Sequence, residues 1–348
     1  MALTEADVRQ ALKKVKFPGL TRDIVSFGFV RSVAVSGDTV TVEIVMTTAN
    51  PAAQETVERD ARAVLSALPG VQEVVLDCKA QAPQAAAAAA PAREVLAGVR
   101  VKIAVASGKG GVGKSTVAAN LALALRQMGS SVGLLDADIY GPSQQMMMGC
   151  TNKPVVNQEQ KILPVDAHGV KVMSLGFLMD PDTPVIWRGP MVMKALQQFI
   201  EDVEWGTLDY LVVDLPPGTG DAQLTVTQQV PLDGAVIVTT PQDVALIDAR
   251  KGLAMFRKVN VPVLGVIENM SAFICPHCGE RSEIFKHGGG RRTAEELGVP
   301  YLGEIPIDPA IVVGGDAGLP IVASDPDSQA ARAFMEVASA IVRRLERA

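Results

Sequence analysis

The sequence is poor in aromatic residues and has no long apolar run. Aromatic side chains make up 4% of the 348 residues, whereas 48% of the residues are hydrophobic, so aliphatic side chains must build the core. No apolar run approaches the ~18 residues that a membrane-spanning helix needs. The first ten residues include acidic side chains and no apolar stretch behind a basic start, so we expect no secretory signal and a cytoplasmic protein.

Basic residues do not outnumber acidic ones. Lysine and arginine number 32, aspartate and glutamate number 38, and the formal net charge is −6. Proteins that coat nucleic acid usually present a basic surface, because they neutralise its phosphate backbone. We therefore expect no nucleic-acid partner. At ~150 residues per domain, the length indicates about two domains.

The four cysteines are too few for a disulfide scaffold in a chain of this length. Cys78 and Cys150 are isolated, and we interpret both as structural. Cys275 and Cys278 form a C-x-x-C pair, whose spacing lets both thiolates reach one metal. Tetrahedral zinc or a four-iron cluster usually takes four ligands, so the simplest completion is the same pair from a second copy of the chain. A thioredoxin-like redox pair and inert thiols remain as alternatives.

A segment rich in alanine and proline divides the chain. Six consecutive alanines lie between Pro83 and Pro91, and so short a helical segment is marginal in water. We predict a linker at residues 80–98. It separates a small α+β domain at residues 1–79 from a larger domain at residues 99–348.

The small domain shows helical and strand patterns in alternation. Its predicted elements are a helix at 4–14, strands at 25–35 and 39–45, a helix at 50–68 and a strand at 71–76. The Ser-Gly-Asp run at 36–38 predicts the turn between the first two strands.

The larger domain repeats strand-like and helix-like runs. The strand-like runs are at 101–106, 132–135, 170–174, 208–213, 234–239, 263–267 and 301–305. The helix-like runs are at 114–128, 191–200, 221–229, 244–259 and 329–347. Many strand-like runs are continuously apolar and β-branched, as expected for strands buried on both faces. The pattern predicts an α/β fold with a mostly parallel sheet and helices on both faces.

The run GKGGVGKS at residues 108–115 fits the phosphate-binding pattern G-x-x-x-x-G-K-[ST]. Its glycines let backbone N–H groups face the phosphates, and the following helix N-terminus adds a positive dipole end. We expect Lys114 to neutralise phosphate charge and Ser115 to bind Mg²⁺. The predicted nucleotide-binding residues of the loop are Gly108, Lys109, Gly110, Gly111, Val112, Gly113, Lys114, Ser115 and Thr116.

Acidic residues follow two further strand-like runs. Asp136 and Asp138 come after the run at 132–135, and ligands bind beyond the carboxyl ends of parallel strands. An aspartate there either orders Mg²⁺ or a water near the γ-phosphate, or opens an Asx turn. Asp214 ends an apolar run, as in a Walker B element, and is expected to hold Mg²⁺ through water. Gly218 then offers its N–H to the γ-phosphate, unless the Pro/Gly run around it is only a rigid turn.

Two further residues have two interpretations each. Lys109 is a second lysine inside the phosphate loop, and it is either a solvated surface residue or one that reaches the nucleotide of a partner subunit. Asn269 follows another apolar run, where its amide either pairs with an adenine edge or forms a turn.

These motifs together resemble the Mrp/ApbC family of iron–sulfur cluster carrier ATPases, within the deviant-Walker-A group of P-loop NTPases. The matching stretches are 107–116, 136–143, 186–191 (IWRGPM), 214–221 (DLPPGTGD), 239–242 (TTPQ), 268–271 and 275–279. The first 80 residues resemble a small iron–sulfur-assembly domain of the PaaD/SufT type. They depart from it at residues 47–53, which contain no cysteine, so a docking role is the hypothesis for this domain.

The resemblance implies a homodimer that binds ATP at its interface and hydrolyses it. Lys109 matches the lysine that reaches across the dimer, and Asp138 matches the aspartate that positions the attacking water. With Lys114, these are the expected catalytic residues. Cys275 and Cys278 match the pair that, with its symmetry mate, holds a bridging [4Fe–4S] cluster. The implied activity is to accept a cluster from a scaffold protein and pass it to apo-proteins, linked to ATP hydrolysis.

Two alternative functions remain open on the sequence. A positioning ATPase of the partition or septum type would need a DNA-binding face or a membrane-binding tail helix. The last helix pairs arginines with an apolar stripe, which we expect to be buried on the sheet, so we expect no stable membrane association. That stripe is Phe334, Val337, Ile341 and Leu345. The other alternative is an ATPase with a structural zinc at the dimer axis.

Overall fold

The structure is a computed structural model that divides into two compact units, Met1–Ala92 and Arg93–Ala348. The described residues are 3–15, 23–25, 29–46, 51–80, 95–138, 141–178, 189–275 and 277–346. Most of the predicted linker lies outside them, as do Ile139, Tyr140, residues 186–188 and Pro276 of the motifs.

The first unit is a three-stranded sheet covered by two helices. Its elements are α1 (Glu5–Leu12), β1 (Val30–Ser36), β2 (Thr39–Met46), α2 (Pro51–Ser66) and β3 (Glu73–Ala80). β2 is central, pairing antiparallel with β1 and parallel with β3. Val40, Val42 and Ile44 on β2 are fully buried, because alternate residues of a strand face the same side. They pack with Leu12 of α1 and Leu65 of α2 in one core.

The second unit contains a longer series of strands and helices. The strands are β4 (Val99–Ser107), β5 (Val132–Asp136), β6 (Val155–Val156), β7 (Ile162–Leu163), β8 (Val165–Ala167), β9 (Val170–Ser174), β10 (Leu208–Asp214), β11 (Gly234–Thr239), β12 (Val263–Ile274), β13 (Arg281–Ser282) and β14 (Tyr301–Ile307). The helices are α3 (Lys114–Gln127), α4 (Gln144–Met147), α5 (Gly189–Glu201), α6 (Asp221–Gln229), α7 (Asp243–Lys258), α8 (Gly289–Leu297), α9 (Pro309–Asp316), α10 (Ile321–Ser324) and α11 (Gln329–Leu345).

In the described part of this unit, nine strands form one sheet. Its order is β13-β12-β11-β4-β10-β5-β9-β8, and β14 also pairs with β12. The pairings are parallel except at β8 and β13. This is the predicted α/β fold. The register sets Asp214 opposite both Val105 and Asp136, so two acidic strand ends lie beside the strand that leads into the phosphate loop.

Helices cover the sheet with aliphatic side chains. α3 is almost entirely buried, and it packs against β10, β5 and α11. Phe334, Val337 and Ile341 of α11 are buried in the same core, as predicted from the apolar stripe. No helix in the described ranges combines the length and apolar character that crossing a bilayer requires.

Most strands differ from their predicted bounds by one or more residues, and at three of them local contacts give the reason. β1 begins later than predicted, because the N–H of Phe29 donates to the carbonyl of Ile24 at 3.0 Å in a turn. β3 begins later, because the N–H of Gln72 donates to the carbonyl of Asp38 at 2.9 Å. β12 extends beyond its predicted end, because it continues to pair with β14 and then with β13.

Candidate functional site

The predicted phosphate loop connects β4 to α3. Gly111 and Gly113 have φ angles of 78° and 81°, in the left-handed region that favours glycine. Gly113 is also the N-cap of α3. A Cβ atom on Gly108 would overlap the backbone of Asp248, and one on Gly113 would overlap the amide of Asn269. The loop therefore needs glycine for its conformation and for the close approach of its neighbours.

The tip of the loop is open to solvent. Gly110 and Gly111 are exposed, whereas Val112 is buried. Lys109 is half-buried, and its carbonyl accepts a hydrogen bond from Ser107 Oγ at 2.9 Å. No ion pair with a described residue involves the Lys109 amine. This amine is therefore free of internal charge partners in the described ranges.

The amine of Lys114 lies among carboxylates at the carboxyl edge of the sheet. Lys114 is 6% exposed, and its Nζ forms a short ion pair with Asp214 Oδ1. The same nitrogen lies 3.5 Å from Asp138 Oδ2 and 3.1 Å from Ser115 Oγ. Burial alone would lower the pKa of Lys114, but the negative charges of Asp214, Asp138 and Asp136 outweigh it and raise the pKa. Lys114 is therefore a buried cation.

Asp136 is fully buried and organises the loop that follows β5. Its Oδ2 accepts hydrogen bonds from the N–H groups of Ser143 at 2.9 Å and Gln144 at 3.0 Å, and from Ser174 Oγ at 2.9 Å. Its Oδ1 accepts the N–H of Asp138 at 3.1 Å. Burial, reinforced by the charge of Asp214, raises the pKa of Asp136 to about 7. The hydrogen bond from the Asp138 N–H to Asp136 Oδ1 forms an Asx-type turn, which is one of the two interpretations that the sequence left open.

Asp214 has a partner for each of its oxygens. Lys114 takes Oδ1, and Gln144 Nε2 donates to Oδ2 at 2.8 Å. The same Gln144 nitrogen lies 2.9 Å from the carbonyl of Ser115. Sequence reasoning missed Gln144, and no pattern in the sequence points to it, since its partners lie on other segments.

Gly218 lies in the Pro/Gly run after β10 with a φ angle of 92°. Its N–H donates to the carbonyl of Ser107 at 3.1 Å, at the start of the phosphate loop. The predicted contact with a γ-phosphate therefore requires this hydrogen bond to break.

Asn269 lies inside β12, not after it, and is 6% exposed. Its Nδ2 donates to the carbonyl of Val112 at 2.9 Å. The Asn269 amide thus holds the backbone of the phosphate loop at Val112. This contact uses one of the two amide hydrogens, so the other hydrogen and the amide oxygen remain for adenine. The pairing with adenine stays a prediction.

The C-x-x-C pair lies on the hairpin between β12 and β13. The N–H of Cys275 donates to the carbonyl of Glu280, and the N–H of Gly279 donates to the carbonyl of Cys275, both at 2.9 Å. Cys275 is half-buried and Cys278 is exposed. The backbone N–H groups of Cys278 and His277, followed by the Cys278 side chain, lower the pKa of Cys275. Thiolate character and exposure together suit metal ligation.

The other two cysteines have different surroundings. Cys78 and Cys150 are half-buried, and burial raises the pKa of each to about 11. Neither thiol therefore ionises readily near neutral pH, which fits the structural role predicted for them.

A polar cluster that the sequence did not predict lies near the hairpin. Buried Glu268 accepts the N–H of Gly288 at 3.0 Å, and also the N–H of Gly290 at a shorter distance, so it caps the start of α8. His287 Nδ1 lies 3.6 Å from Glu304 Oε2. Arg281 of β13 lies 3.1 Å from Glu304 Oε1, so its guanidinium already supplies a cation to this cluster.

Two kinds of binding groups lie at the carboxyl ends of the strands in the large sheet. An amine, a hydroxyl, three carboxylates and a helix N-terminus lie beyond β4, β5 and β10, which suits phosphates and a hard cation. Two thiols lie beyond β12, which suits a soft metal. Both sets follow the carboxyl ends of strands in the same parallel sheet.

Comparisons with known proteins agree with this combination. Residues 98–342 match the ParA family model, described as NUBPL iron-transfer P-loop NTPase, and residues 5–76 match a model described as iron–sulfur cluster assembly protein. The iron–sulfur cluster carrier protein of Synechocystis sp. is 47% identical, over 99% of this chain and 99% of its own length.

Two solved structures are also similar. The nucleotide-binding protein of Archaeoglobus fulgidus, in complex with ADP, is 42% identical with a TM-score of 0.58, over 65% of this chain and 89% of that one. The cell division ATPase MinD of Pyrococcus furiosus is 26% identical with a TM-score of 0.53, over 70% and 98%. These matches confirm the resemblance and the fold class predicted from the motifs, and the chain belongs to the family of NUBPL iron-transfer P-loop NTPases.

Proposed function

We propose that this protein binds an iron–sulfur cluster and transfers it to apo-proteins, with ATP bound and hydrolysed at the interface of a homodimer. The observation that carries the proposal is that one sheet edge presents both a phosphate loop and a C-x-x-C hairpin. The match to a cluster carrier protein along nearly the whole chain supports it.

For the nucleotide, Lys114 and the N-terminus of α3 bind the phosphates. The amine is held between Asp214 and Asp138, so phosphate oxygens compete with these carboxylates for it. Asp138 is the residue that, by its match to the family motif, we expect to position the attacking water, and its carboxylate lies at the phosphate site, 3.5 Å from the Lys114 amine. Lys109, with no ion pair among the described residues, reaches across to the nucleotide of the second subunit.

Mg²⁺ fits the residues beside Lys114. Ser115 offers a hydroxyl and Asp214 a carboxylate, which are the hard oxygen donors that Mg²⁺ prefers. When bound, the ion supplies positive charge against the β- and γ-phosphates. Asp136 supports this site indirectly, because it fixes the loop that carries Asp138.

The loop around Gly218 is the element that senses the nucleotide. Its N–H donates to the carbonyl of Ser107 at 3.1 Å, and a γ-phosphate would draw that N–H away. The resulting movement of the loop after β10 is the change that we propose shifts the dimer and loosens the cysteine hairpins.

The cluster is the cargo. Cys275 and Cys278 supply two thiolates, and the same pair of a second subunit completes the four that a bridging [4Fe–4S] cluster needs. The exposure of Cys278 leaves the cluster accessible to a scaffold protein that donates it and to apo-proteins that receive it.

Cluster transfer tests the proposal. The cluster-loaded protein is mixed anaerobically with an apo-enzyme that needs [4Fe–4S], and recovery of its activity is followed with ATP, with ADP and without nucleotide. We expect transfer to occur and its rate to differ with ATP, and we expect Lys114→Ala to remove that difference while keeping the cluster. Equal rates in all three conditions would contradict the coupling, and no transfer would contradict the carrier function.

A further inference from the structure

Gln144 is a polar residue with no solvent exposure at the first position of α4. Its Nε2 donates to Asp214 Oδ2 at 2.8 Å and lies 2.9 Å from the carbonyl of Ser115. Its own N–H donates to Asp136 Oδ2 at 3.0 Å. One residue therefore joins the segment after β5, the start of α3 and the end of β10.

These bonds fix the orientation of Asp214. One carboxylate oxygen is held by Lys114 and the other by the Gln144 amide. Without the second contact, the carboxylate could rotate about its terminal bond, a torsion that is broad for aspartate. Hydrogen bonds to charged groups are also stronger than those between neutral groups.

The oxygen of the same amide is unsatisfied. Gln144 Oε1 is buried, and no described residue donates to it. A buried acceptor without a donor is unfavourable by about 1–3 kcal/mol, so such an atom in a native site calls for an explanation. The explanation on hand is a donor that arrives with the ligand, such as a water molecule carried by a metal ion.

We propose that Gln144 is a positioning residue for Mg²⁺ in the nucleotide site. Its amide N–H fixes Asp214, and its amide oxygen is the acceptor for a water that the ion carries. The inference rests on the proposed nucleotide function, and it predicts that Gln144 matters for binding of the metal–nucleotide complex but not for binding of the nucleotide alone.

The test measures how much Mg²⁺ tightens nucleotide binding. A fluorescent ADP analogue is titrated with the full-length protein in a metal chelator and again in excess Mg²⁺. Gln144→Met keeps the length of the side chain and removes both polar atoms. We expect its affinity in chelator to match the wild type, and the tightening by Mg²⁺ to fall about 10-fold, as loss of a hydrogen bond to a charged group predicts.

Gln145 provides the matched control on the same helix. Its Nε2 donates to the carbonyl of Pro142 at 3.2 Å, and its Oε1 accepts from Ser174 Oγ at 2.8 Å, with no contact to Asp214. Gln145→Met should keep the full effect of Mg²⁺. If Gln144→Met does not fold, Gln144→Asn replaces it, because the shorter amide cannot span the distance to Asp214.

The outcomes separate this inference from the function on which it rests. A wild-type tightening by Mg²⁺ in Gln144→Met would overturn the inference, and so would an equal loss of affinity with and without the metal, which would indicate only a structural role. Failure of the wild-type protein to bind the analogue at all would instead overturn the proposed nucleotide function.

Discussion

Replacing Lys114 by methionine should destabilise the nucleotide-free protein strongly. Lys114→Met keeps the aliphatic stem and removes the charge that neutralises the carboxylates around it. Lys114 is 6% exposed and Asp214 is 0% exposed, so the carboxylate left behind is not solvated by water. Removing one partner of a buried ion pair costs about 3–5 kcal/mol.

The lower end of this range applies here. Gln144 still donates to Asp214 in the variant, and a carboxyl group can take up a proton in place of the lost amine. We therefore expect a loss of about 3 kcal/mol in the free energy of unfolding at pH 8.

Urea denaturation followed by tryptophan fluorescence measures this loss. Trp205 is buried in the second unit, so its fluorescence reports the unfolding of that unit. Lys109→Met is the control in the same loop, and we expect it to change the free energy of unfolding by about 0.5 kcal/mol or less. Adding Asp214→Asn to Lys114→Met should recover part of the loss. A loss below about 1 kcal/mol, or no recovery in the double variant, would show that Lys114 does not neutralise a buried carboxylate at Asp214.

Two further predictions follow from neighbouring residues. The pKa of Asp136 is about 7 in the folded protein and about 4 in the unfolded chain. Ionisation of Asp136 therefore favours the unfolded chain, and it lowers the free energy of unfolding as the pH rises from about 4 to about 7. Asp136→Asn cannot ionise, so its free energy of unfolding relative to the wild type should be higher at pH 8 than at pH 5; a constant difference in urea denaturation would contradict the raised pKa. Asn269→Ala removes the bond to Val112, and we expect a loss of about 1 kcal/mol in stability and weaker ATP binding. A weaker preference of this variant for ATP over GTP would support the adenine contact. Unchanged stability would contradict a role of the Asn269 side chain in holding the phosphate loop.

The phosphate loop and the cysteine pair could be predicted because each lies within one short stretch of sequence. Residues 108–115 form one loop and the first turn of α3, and Cys275 and Cys278 lie on one hairpin, so their spacing alone places them together. The proximity of Asp136 and Asp214 could also be predicted, since parallel strands bring their carboxyl ends to one edge of the sheet. Local patterns thus predicted the parts of each site.

Contacts between distant segments were not predictable in this way. Gln144 meets Asp214 across 70 positions of the chain, and no periodicity predicts that pairing. α8 begins with two glycines, which are poor helix formers, and its first turn is capped by Glu268 from β12. α9 is different, because the sequence does contain its start signal, an aspartate at 308 followed by a proline at the first helical position.

In the proposed carrier, the two cysteines of each chain hold half of a cluster that two subunits share. The direct measurement is the content of iron, acid-labile sulfide and zinc per dimer after anaerobic reconstitution, together with visible absorbance. We predict about four iron and four sulfide per dimer, with thiolate-to-iron absorbance that Cys275→Ala with Cys278→Ala abolishes. Zinc without sulfide, or a cluster that persists in the double variant, would contradict the account.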